Sequence, residues 1–334
     1  MKLKKKTILI AVSGQETGKK DALDALCCMD AFRRGLLHLG AIPEPFYVRE
    51  VDFLQPKALL KKILELNPAV VFNLFEGFVG DSQKEVEFAS ILEQSGICFT
   101  GNSAQTLKIC LNKQKVKNIL SKGNISIPQG CLVRKIEDLE TLRINTPVFI
   151  KPCCEDASIG IDHGSLVWEK QKLHDFVKTK LREFPAGVIV EDFIEGKEYS
   201  LGFLGREKFE LMGISEMDYG LHADCVPFLS YKAKWDTGSE LFKKLMPDYN
   251  IKIFPQQKRK MVMIAMKSAA LLGCRGYFRV DLREREGAFF VLDVNPNPDI
   301  NIDSGFMKQS KNSGYSFESV IKKILNAAYG PLKE

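Results

Sequence analysis

A chain of 334 residues is longer than one hydrophobic core usually supports, so the sequence predicts two or three domains. With 45% hydrophobic and 27% charged residues, the composition excludes a disordered or fibrous protein. The formal net charge of +6 is mild and both signs are interspersed, so we expect no nucleic-acid partner.

Cysteine usage and the hydrophobic runs indicate the compartment. Nine cysteines, an odd number without regular spacing, favour reduced thiols over a disulfide framework. The apolar run at 7–12 is too short for a signal peptide, and no run approaches the roughly 20 residues of a membrane helix. The sequence therefore predicts a cytoplasmic protein without a membrane partner.

The first hundred residues alternate between strand and helix patterns. Apolar, β-branched runs at 7–12 and 70–74 predict buried parallel strands. Apolar residues spaced by three or four predict helices at 24–39 and 85–95. We expect an open α/β domain over residues 1–105.

Two further domains are predicted downstream, over residues 106–192 and 193–334. The first would combine a helical stretch at 102–122 and a helix at 170–184 with strands at 147–152, 166–168 and 188–191. The second would contain strands at 199–204 and 209–214 and a long helix at 256–272, which leads into two more strands. Both predictions rest on hydrophobic periodicity and on the Gly and Pro residues between the runs.

The last two predicted strands carry polar residues at alternate positions, Arg279 and Asp281 in one, Asp293 and Asn295 in the other. Because strand side chains alternate between faces, these four should share one face of the sheet. Carboxylate and amide oxygens are hard ligands that suit Mg²⁺, and an arginine beside them would face phosphate groups. The pattern therefore predicts a nucleotide-binding Mg²⁺ site.

The alternative is a solvent-facing hairpin whose polar residues have no role. Asp and Asn are poor strand formers, so their presence at Asp281, Asp293 and Asn295 goes against local preference and favours a functional site.

Further motifs accompany this pair of strands. They are Phe99-Thr100-Gly101 with Lys113, the segment 149–152 continuing to Gly160, the segment 188–199, and Ala233-Lys234-Trp235. Together, and in this order, the motifs resemble those of the ATP-grasp ligases, and within them the D-alanine–D-alanine ligase group, from the first strand to about residue 310. The resemblance implies an ATP-grasp fold of mixed α/β (α+β) class, with an N-terminal open α/β domain and central and C-terminal ATP-grasp subdomains.

The resemblance also implies how ATP would bind. Lys113 and Lys151 would approach the phosphates, and the backbone of Asp192 and Ile194 would bond the adenine edge. Glu191 would lie beside the adenine amino group, and Glu198 would accept the ribose hydroxyls. The full set implied for ATP is Lys113, Lys151, Glu155, Gly160, Glu191, Asp192, Ile194, Glu198 and Leu292, with Mg²⁺ or Mn²⁺ on Asp281, Asp293 and Asn295. Surface lysines and exposed carboxylates are the alternatives at these positions.

By the same resemblance, the reaction transfers the γ-phosphoryl group of ATP to a carboxylate, and an amine then attacks the acyl phosphate to form an amide. Arg279 and Lys234 would stabilise the developing charge, and Ser158 would belong to the phosphate-binding loop 155–160. A non-catalytic regulatory protein that binds ATP is the alternative, although the complete set of polar residues disfavours it. Related ligases are commonly dimers, so a homodimer is expected.

Several positions depart from the family pattern on the side where the amino-acid or small-peptide substrates are expected. Glu76 replaces a histidine, Ala157 a serine and Trp235 a tyrosine, and Asp299 stands where glycine is common. Glu16, Glu76, Asn297 and Asp299 are the candidate substrate-binding residues. The carboxylates of Glu16 and Glu76 would suit a substrate that carries an ammonium group, and the alternative is that both residues belong to solvated loops.

Overall fold

The computed structural model describes residues 3–14, 20–78, 80–143, 145–156, 158–219, 227–228, 230 and 246–329, with the backbone alone at 20–25 and 141. In these ranges the chain forms three sheets with helices packed against them. The mixed α/β class predicted from the sequence is confirmed. No helix in the described ranges is both long and apolar enough to cross a membrane.

The first sheet is parallel and has the order β2-β1-β3, with β1 at Thr7–Ser13, β2 at Ile42–Val48 and β3 at Val70–Asn73. Residues 8–12 of β1 have no exposed surface, because both faces of the sheet are covered. This explains the unbroken apolar run of the central strand. The accompanying helices are α1 (Lys20–His38), α2 (Pro56–Glu65) and α3 (Gln83–Ser95).

Two short helices connect the first sheet to the second, where the sequence predicted one helical stretch. They are α4 (Ala104–Cys110) and α5 (Lys113–Lys122). The break occurs at Asn112, whose side chain accepts a hydrogen bond of 2.9 Å from the backbone N–H of Lys115 and so starts a new helix.

The second sheet is antiparallel, with the order β4-β7-β5-β6. Its strands are β4 (Gly130–Val133), β5 (Val148–Pro152), β6 (Leu166–Val167) and β7 (Val188–Asp192). The helix α6 (Lys170–Glu183) packs on this sheet through Leu173 and Val177. The sheet presents the ends of β5 and β7 to the third sheet.

The third sheet is also antiparallel and has the order β11-β10-β8-β9. Its strands are β8 (Glu198–Gly205), β9 (Phe209–Met217), β10 (Gly276–Arg285) and β11 (Ala288–Asn295). The helix α7 (Pro255–Leu272) shares one core with β10, in which Met261, Ala265 and Phe278 are buried.

The two ends of the described chain share a hydrophobic core. The helices α8 (Gly305–Asn312) and α9 (Phe317–Tyr329) follow the third sheet. The core that contains Ile8 and Phe32 also contains Ile321 from α9, and the rings of Phe32 and Phe317 lie 5.0 Å apart. The first and third sheets are therefore held together by buried apolar surface.

Candidate active site

The strands β10 and β11 bring the four predicted polar residues together. Asp281 pairs with Asp293, and Arg279 pairs with Asn295, in antiparallel register. The intervening Val280 is completely buried on the opposite face. The shared face predicted from the alternating pattern is confirmed.

Asp281 is the centre of a hydrogen-bond network. The guanidinium of Arg279 donates to both of its carboxylate oxygens, at 2.8 Å each. Ser200 donates to Oδ1 at 2.7 Å and Asn295 donates to Oδ2 at 2.9 Å. Burial lowers the pKa of Arg279, but the adjacent Asp281 outweighs it and raises that pKa above its usual value. The arginine is thus held charged and aimed by a two-point contact.

Asp293 faces the ammonium group of Lys113, with Oδ2 and Nζ 3.6 Å apart. The same ammonium group donates to the backbone carbonyl of Glu155 at 2.6 Å. Burial lowers the pKa of Lys113, and the charges of Asp293 and Asp156 more than compensate, so that the pKa is raised. Lys113 is not a free surface lysine, because only 11% of its side chain is exposed.

A bulge in β11 exposes one backbone carbonyl to the second sheet. Asp281 pairs with Asp293 and Leu282 with Val291, so Leu292 is the extra residue. Its carbonyl oxygen accepts a bond of 3.3 Å from Nζ of Lys151. The bulge therefore links β11 to the end of β5.

Glu191 is clamped between two lysines. Its Oε1 lies 2.7 Å from Nζ of Lys151, and its Oε2 lies 2.7 Å from Nζ of Lys117. All three side chains are buried, with Glu191 only 3% exposed. Burial raises the pKa of Glu191, but the two ammonium groups bring it below its usual value. The exposed-carboxylate alternative is therefore wrong for Glu191.

These groups line a narrow pocket between the second and third sheets. The walls contain five charged and five apolar residues: Lys113, Lys117, Lys151, Glu191, Asp293, Val116, Leu120, Ile127, Val291 and Leu292. An apolar slot with a few convergent charges is the usual form of a small-molecule site. Lys113, Lys151, Glu191 and Leu292, which the family resemblance implies for ATP, line it together with Asp293 from the alternating strand pattern.

The segment after β7 carries the remaining residues predicted for a nucleotide. The N–H of Asp192 donates to the carbonyl of Gln129 at 2.7 Å, and the carbonyl of Ile194 accepts a bond of 2.9 Å from Arg283. Glu198 is half-buried and lies 3.2 Å from the guanidinium of Arg283. Burial raises the pKa of Glu198, while Arg283 opposes the shift. The ordering of this segment thus depends on Arg283, which has 3% of its side chain exposed.

The predicted phosphate loop touches the pocket at one end only. The carbonyl of Glu155 binds Lys113, as described above, and burial raises the pKa of the Glu155 carboxyl. Ser158 has a positive φ of 63°. A side chain at Gly160 would come within 2.5 Å of the ring of Phe184, so glycine is needed for this close approach. Within the described part of the loop, neither Ser158 nor Gly160 lines the pocket.

Asn297 connects the active-site strands to the first sheet and its helices. Its Oδ1 accepts a bond of 2.9 Å from the N–H of Asn102, and its Nδ2 donates to Glu85 at 2.8 Å. A Cβ atom at Gly101 would come within 2.7 Å of Asn297 Oδ1, so glycine is required beside it. Asn102 is completely buried, and its side chain also donates to the carbonyls of Tyr277 and Pro296.

Burial raises the pKa of Glu85 to about 7. The hydrogen bond from Asn297 opposes this shift and the charge of Asp156 adds to it. Asp156 belongs to the predicted phosphate loop, so the charge of that loop acts on Glu85.

The remaining candidate substrate residues lie on exposed loops or outside the described ranges. Glu76 and Asp299 are exposed, and both charges act on the buried hydroxyl of Tyr277. Asp299 Oδ1 accepts a bond of 2.7 Å from the N–H of Asn301. Glu16 and Lys234 fall outside the residues that the structure describes, as do Ala157 and Trp235.

Five polar residues described above had no predicted role: Lys117, Asn102, Ser200, Glu85 and Arg283. A local signal existed for Lys117. Lys117 lies one helical turn after Lys113 and therefore on the same face of α5. Ser200 pairs with Asp281 across β8 and β10, and the pattern of either strand does not indicate this pairing because the two residues are 81 positions apart.

Comparison with known proteins agrees with this geometry. Residues 122–326 match the family model described as the D-ala D-ala ligase C-terminus. A D-alanine–D-alanine ligase of a Thermotoga species is 30% identical over 304 residues, which cover 90% of this chain and 91% of the relative.

Solved structures share the fold at lower identity. The D-alanine–D-alanine ligase of Bacillus anthracis, crystallised with ATP, has a TM-score of 0.73 and 18% identity, with 97% of each chain covered. The VanG D-Ala:D-Ser ligase of Enterococcus faecalis has a TM-score of 0.75 and 19% identity, with 97% of this chain and 100% of the other covered. The chain belongs to the D-alanine–D-alanine ligase family, whose members are ATP-dependent carbon–nitrogen ligases with the ATP-grasp fold.

Proposed function

We propose that the protein uses ATP and Mg²⁺ to activate the carboxylate of an amino acid or small peptide and joins it to an amine. The observation that carries this proposal is the convergence of Lys113, Lys151, Glu191 and Asp293 on one pocket, with Asp281 opposite Asp293 in the paired strands and Arg279 bonded to Asp281. Two fixed cations, a bidentate guanidinium and paired carboxylates form the charge pattern that a triphosphate and its metal require.

The nucleotide would lie between the second and third sheets. Leu292 and Val291 would contact the adenine ring, with Glu191, Asp192 and Ile194 at its edge. The ribose would reach Glu198, which is half-buried beside Arg283. Lys113 and Lys151 would contact the phosphates, with Glu155, Ser158 and Gly160 in the loop that closes over them. Lys234 is proposed as a further phosphate contact from the resemblance alone.

The residues proposed to hold Mg²⁺ fit that ion in their chemistry. Asp281, Asp293 and Asn295 provide two carboxylates and one amide at neighbouring register positions. Among the described residues, no group of three His, Cys, Asp or Glu side chains could hold a metal, so the amide is needed to complete the set. This set leaves positions for water and phosphate oxygens, as Mg²⁺ prefers. A bound Mg²⁺ ion would neutralise charge on the transferring phosphoryl group.

The chemistry requires no protein nucleophile. A substrate carboxylate oxygen forms a bond to the γ-phosphorus as the bond to the β-phosphate oxygen breaks, which gives an acyl phosphate and ADP. An amine then attacks the acyl carbon, phosphate leaves, and the amine nitrogen loses a proton. Arg279, held by two hydrogen bonds to Asp281, would stabilise the negative oxygen that develops at each stage.

The substrate pair follows from the relatives only in part. D-alanine is the first candidate for both substrates, because the Thermotoga relative is named for that reaction. The exposed carboxylates of Glu76 and Asp299 instead favour a different amino acid or peptide that carries an additional ammonium group. The domain limits at residues 105 and 192, a homodimeric state and a cytoplasmic location remain proposals from the sequence.

The test is ATP-dependent phosphate release with Mg²⁺, measured across single D- and L-amino acids, short peptides and pairs of them. Release stimulated by one pair, with a matching amide product, is expected from the unmodified protein. Asp293→Ala should abolish it, whereas Asp303→Ala, at an exposed aspartate nearby, should not. Binding of ATP without turnover across the panel would contradict the proposal and favour a regulatory role.

A further inference from the structure

Lys117 is a buried lysine in the pocket with no assigned role. Only 9% of its side chain is exposed. Its ammonium group donates to the carbonyl of Pro128 at 2.6 Å and to Oε2 of Glu191 at 2.7 Å. Lys151 binds the other oxygen of the same carboxylate, Oε1.

Burial of the Lys117 ammonium group removes it from water, which is energetically unfavourable, so we expect the buried charge to have a specific role. Burial lowers the pKa of Lys117, and the charge of Glu191 only partly opposes that shift. A surface lysine would avoid this penalty, as Lys115 does two residues earlier on the exposed side of α5. Two ammonium groups therefore share one buried carboxylate, and the cluster carries a net positive charge.

The surplus charge matters because Lys151 has two competing partners. In the proposed function Lys151 contacts the phosphates, yet here it is paired with Glu191. If Lys151 were the only cation on Glu191, moving it to a phosphate would leave a buried carboxylate unpaired, which is strongly unfavourable. Lys117 remains bonded to Glu191 and removes most of that penalty.

We propose that Lys117 is a positioning residue for the nucleotide: it keeps Glu191 neutralised, so that Lys151 can turn from Glu191 to the phosphates when ATP binds. Lys117 itself does not contact the reacting atoms. This inference rests on the proposed function, because it assumes that the nucleotide occupies this pocket.

The first experiment replaces the ammonium group by an uncharged side chain of similar length. Lys117→Met should weaken binding of the β,γ-imido analogue of ATP with Mg²⁺ by roughly tenfold or more, because Lys151 would then be held by Glu191. The KM for ATP should rise by a similar factor, whereas kcat at saturating ATP should change much less. Lys115→Met is the matched control on the same helix, and Lys117→Arg should retain most of the affinity.

A second pair of variants separates positioning from a merely structural role. Once Glu191 is replaced by glutamine, no carboxylate competes for Lys151, so Lys117→Met/Glu191→Gln should bind the analogue at least as tightly as Glu191→Gln alone. It should also bind more tightly than Lys117→Met. Additive losses in the double variant would overturn the inference. If Lys117→Met does not fold, the comparison between Glu191→Gln and the double variant decides alone.

The two proposals fail in different ways. If the unmodified protein does not bind the analogue with Mg²⁺, the proposed function is wrong and this inference is wrong with it. If the unmodified protein binds and Lys117→Met binds equally well, only the role of Lys117 is refuted.

Discussion

The two ends of the candidate site are built differently. At the nucleotide end, Lys117, Glu191 and Lys151 form buried ion pairs of 2.7 Å between α5, β7 and β5. At the substrate end, Glu85 and Asn297 meet across the junction between the first and third sheets, and their link depends on the buried Asn102. We call the buried cluster of Lys117, Glu191 and Lys151 the cage. We call the junction held by Asn102, Asn297 and Glu85 the seam.

This difference separates what the family shares from what a member can change. The nucleotide is the same in every reaction of this class, so its cage must hold the same charges in the same places. If the proposed substrate residues contact the groups that differ between substrates, that end can change without loss of phosphoryl transfer. Glu76 and Asp299, which depart from the family pattern, are exposed and belong to the set proposed for the substrate.

The largest effect is expected where the two ends meet, at Arg279. Arg279→Lys keeps the charge but loses the two-point contact with Asp281, and substrate-stimulated phosphate release should fall by about 10³-fold. Arg285→Lys, at an exposed position of the same strand, should be near normal. A rate for Arg279→Lys within about threefold of the unmodified protein would show that a positive charge at this position is enough for phosphate release, without the two-point contact with Asp281.

The next largest effect is expected on protein stability, when Glu191 of the cage is replaced. Glu191→Ala leaves two ammonium groups buried without their shared partner, so the free energy of unfolding should fall by about 3 kcal/mol. Urea unfolding monitored by circular dichroism measures the change. The matched control Glu195→Ala removes an exposed carboxylate and should cost well under 1 kcal/mol. Equal free energies of unfolding for the two variants would show that the ion pairs of Glu191 do not stabilise the protein.

The stability of the seam should depend on Asn102, which contacts no proposed ligand. Asn102→Ala leaves the carbonyls of Tyr277 and Pro296 and the N–H of Arg275 without their partner, which should destabilise the protein by roughly 2 kcal/mol. Asn118→Ala, at an exposed asparagine of α5, is the control for the same urea unfolding measurement. If both variants unfold at the same urea concentration, Asn102 does not hold the seam.

Much of the nucleotide end could be predicted from the sequence because its signals are local. The alternation in β10 and β11 places Arg279, Asp281, Asp293 and Asn295 on one face without knowledge of the rest of the fold. That inference needs only the period of each strand. The roles of Lys113, Lys151 and Glu191 came instead from the resemblance of their motifs to those of a known family.

The seam could not be predicted, because its contacts join segments that are distant in sequence. Asn102 and Asn297 are separated by almost 200 positions, and nothing in the run around either residue indicates the other. Lys117 was passed over because a lysine in a basic helix is usually solvated, and only its contact with Glu191 shows otherwise. The edge strand β2 was also missed, since two prolines in Ile42–Val48 hide its pattern.

The smallest expected effect concerns pH and the carboxyl group of Glu85. Burial raises its pKa from the ordinary 4.5 to about 7, so the folded protein binds this proton more tightly than the unfolded chain does. The stability gained from this proton is complete below pH 4.5 and is lost as the pH rises through about 7. Above that range the ionised carboxylate remains beside Asn297 at the seam.

Glu85→Gln removes the ionisation while it keeps a carbonyl that can accept the bond from Asn297. Relative to the unmodified protein, this variant should lose less stability between pH 4.5 and 7, by roughly 1 to 2 kcal/mol because the side chain is half-buried. Urea unfolding at a series of pH values measures the difference, with Glu87→Gln, an exposed residue of the same helix, as the control. Identical pH profiles for the unmodified protein and Glu85→Gln would mean that Glu85 is solvated and the seam is open to water there. A flatter profile for Glu85→Gln would instead show that the seam changes its charge near neutral pH, through the carboxyl group of Glu85.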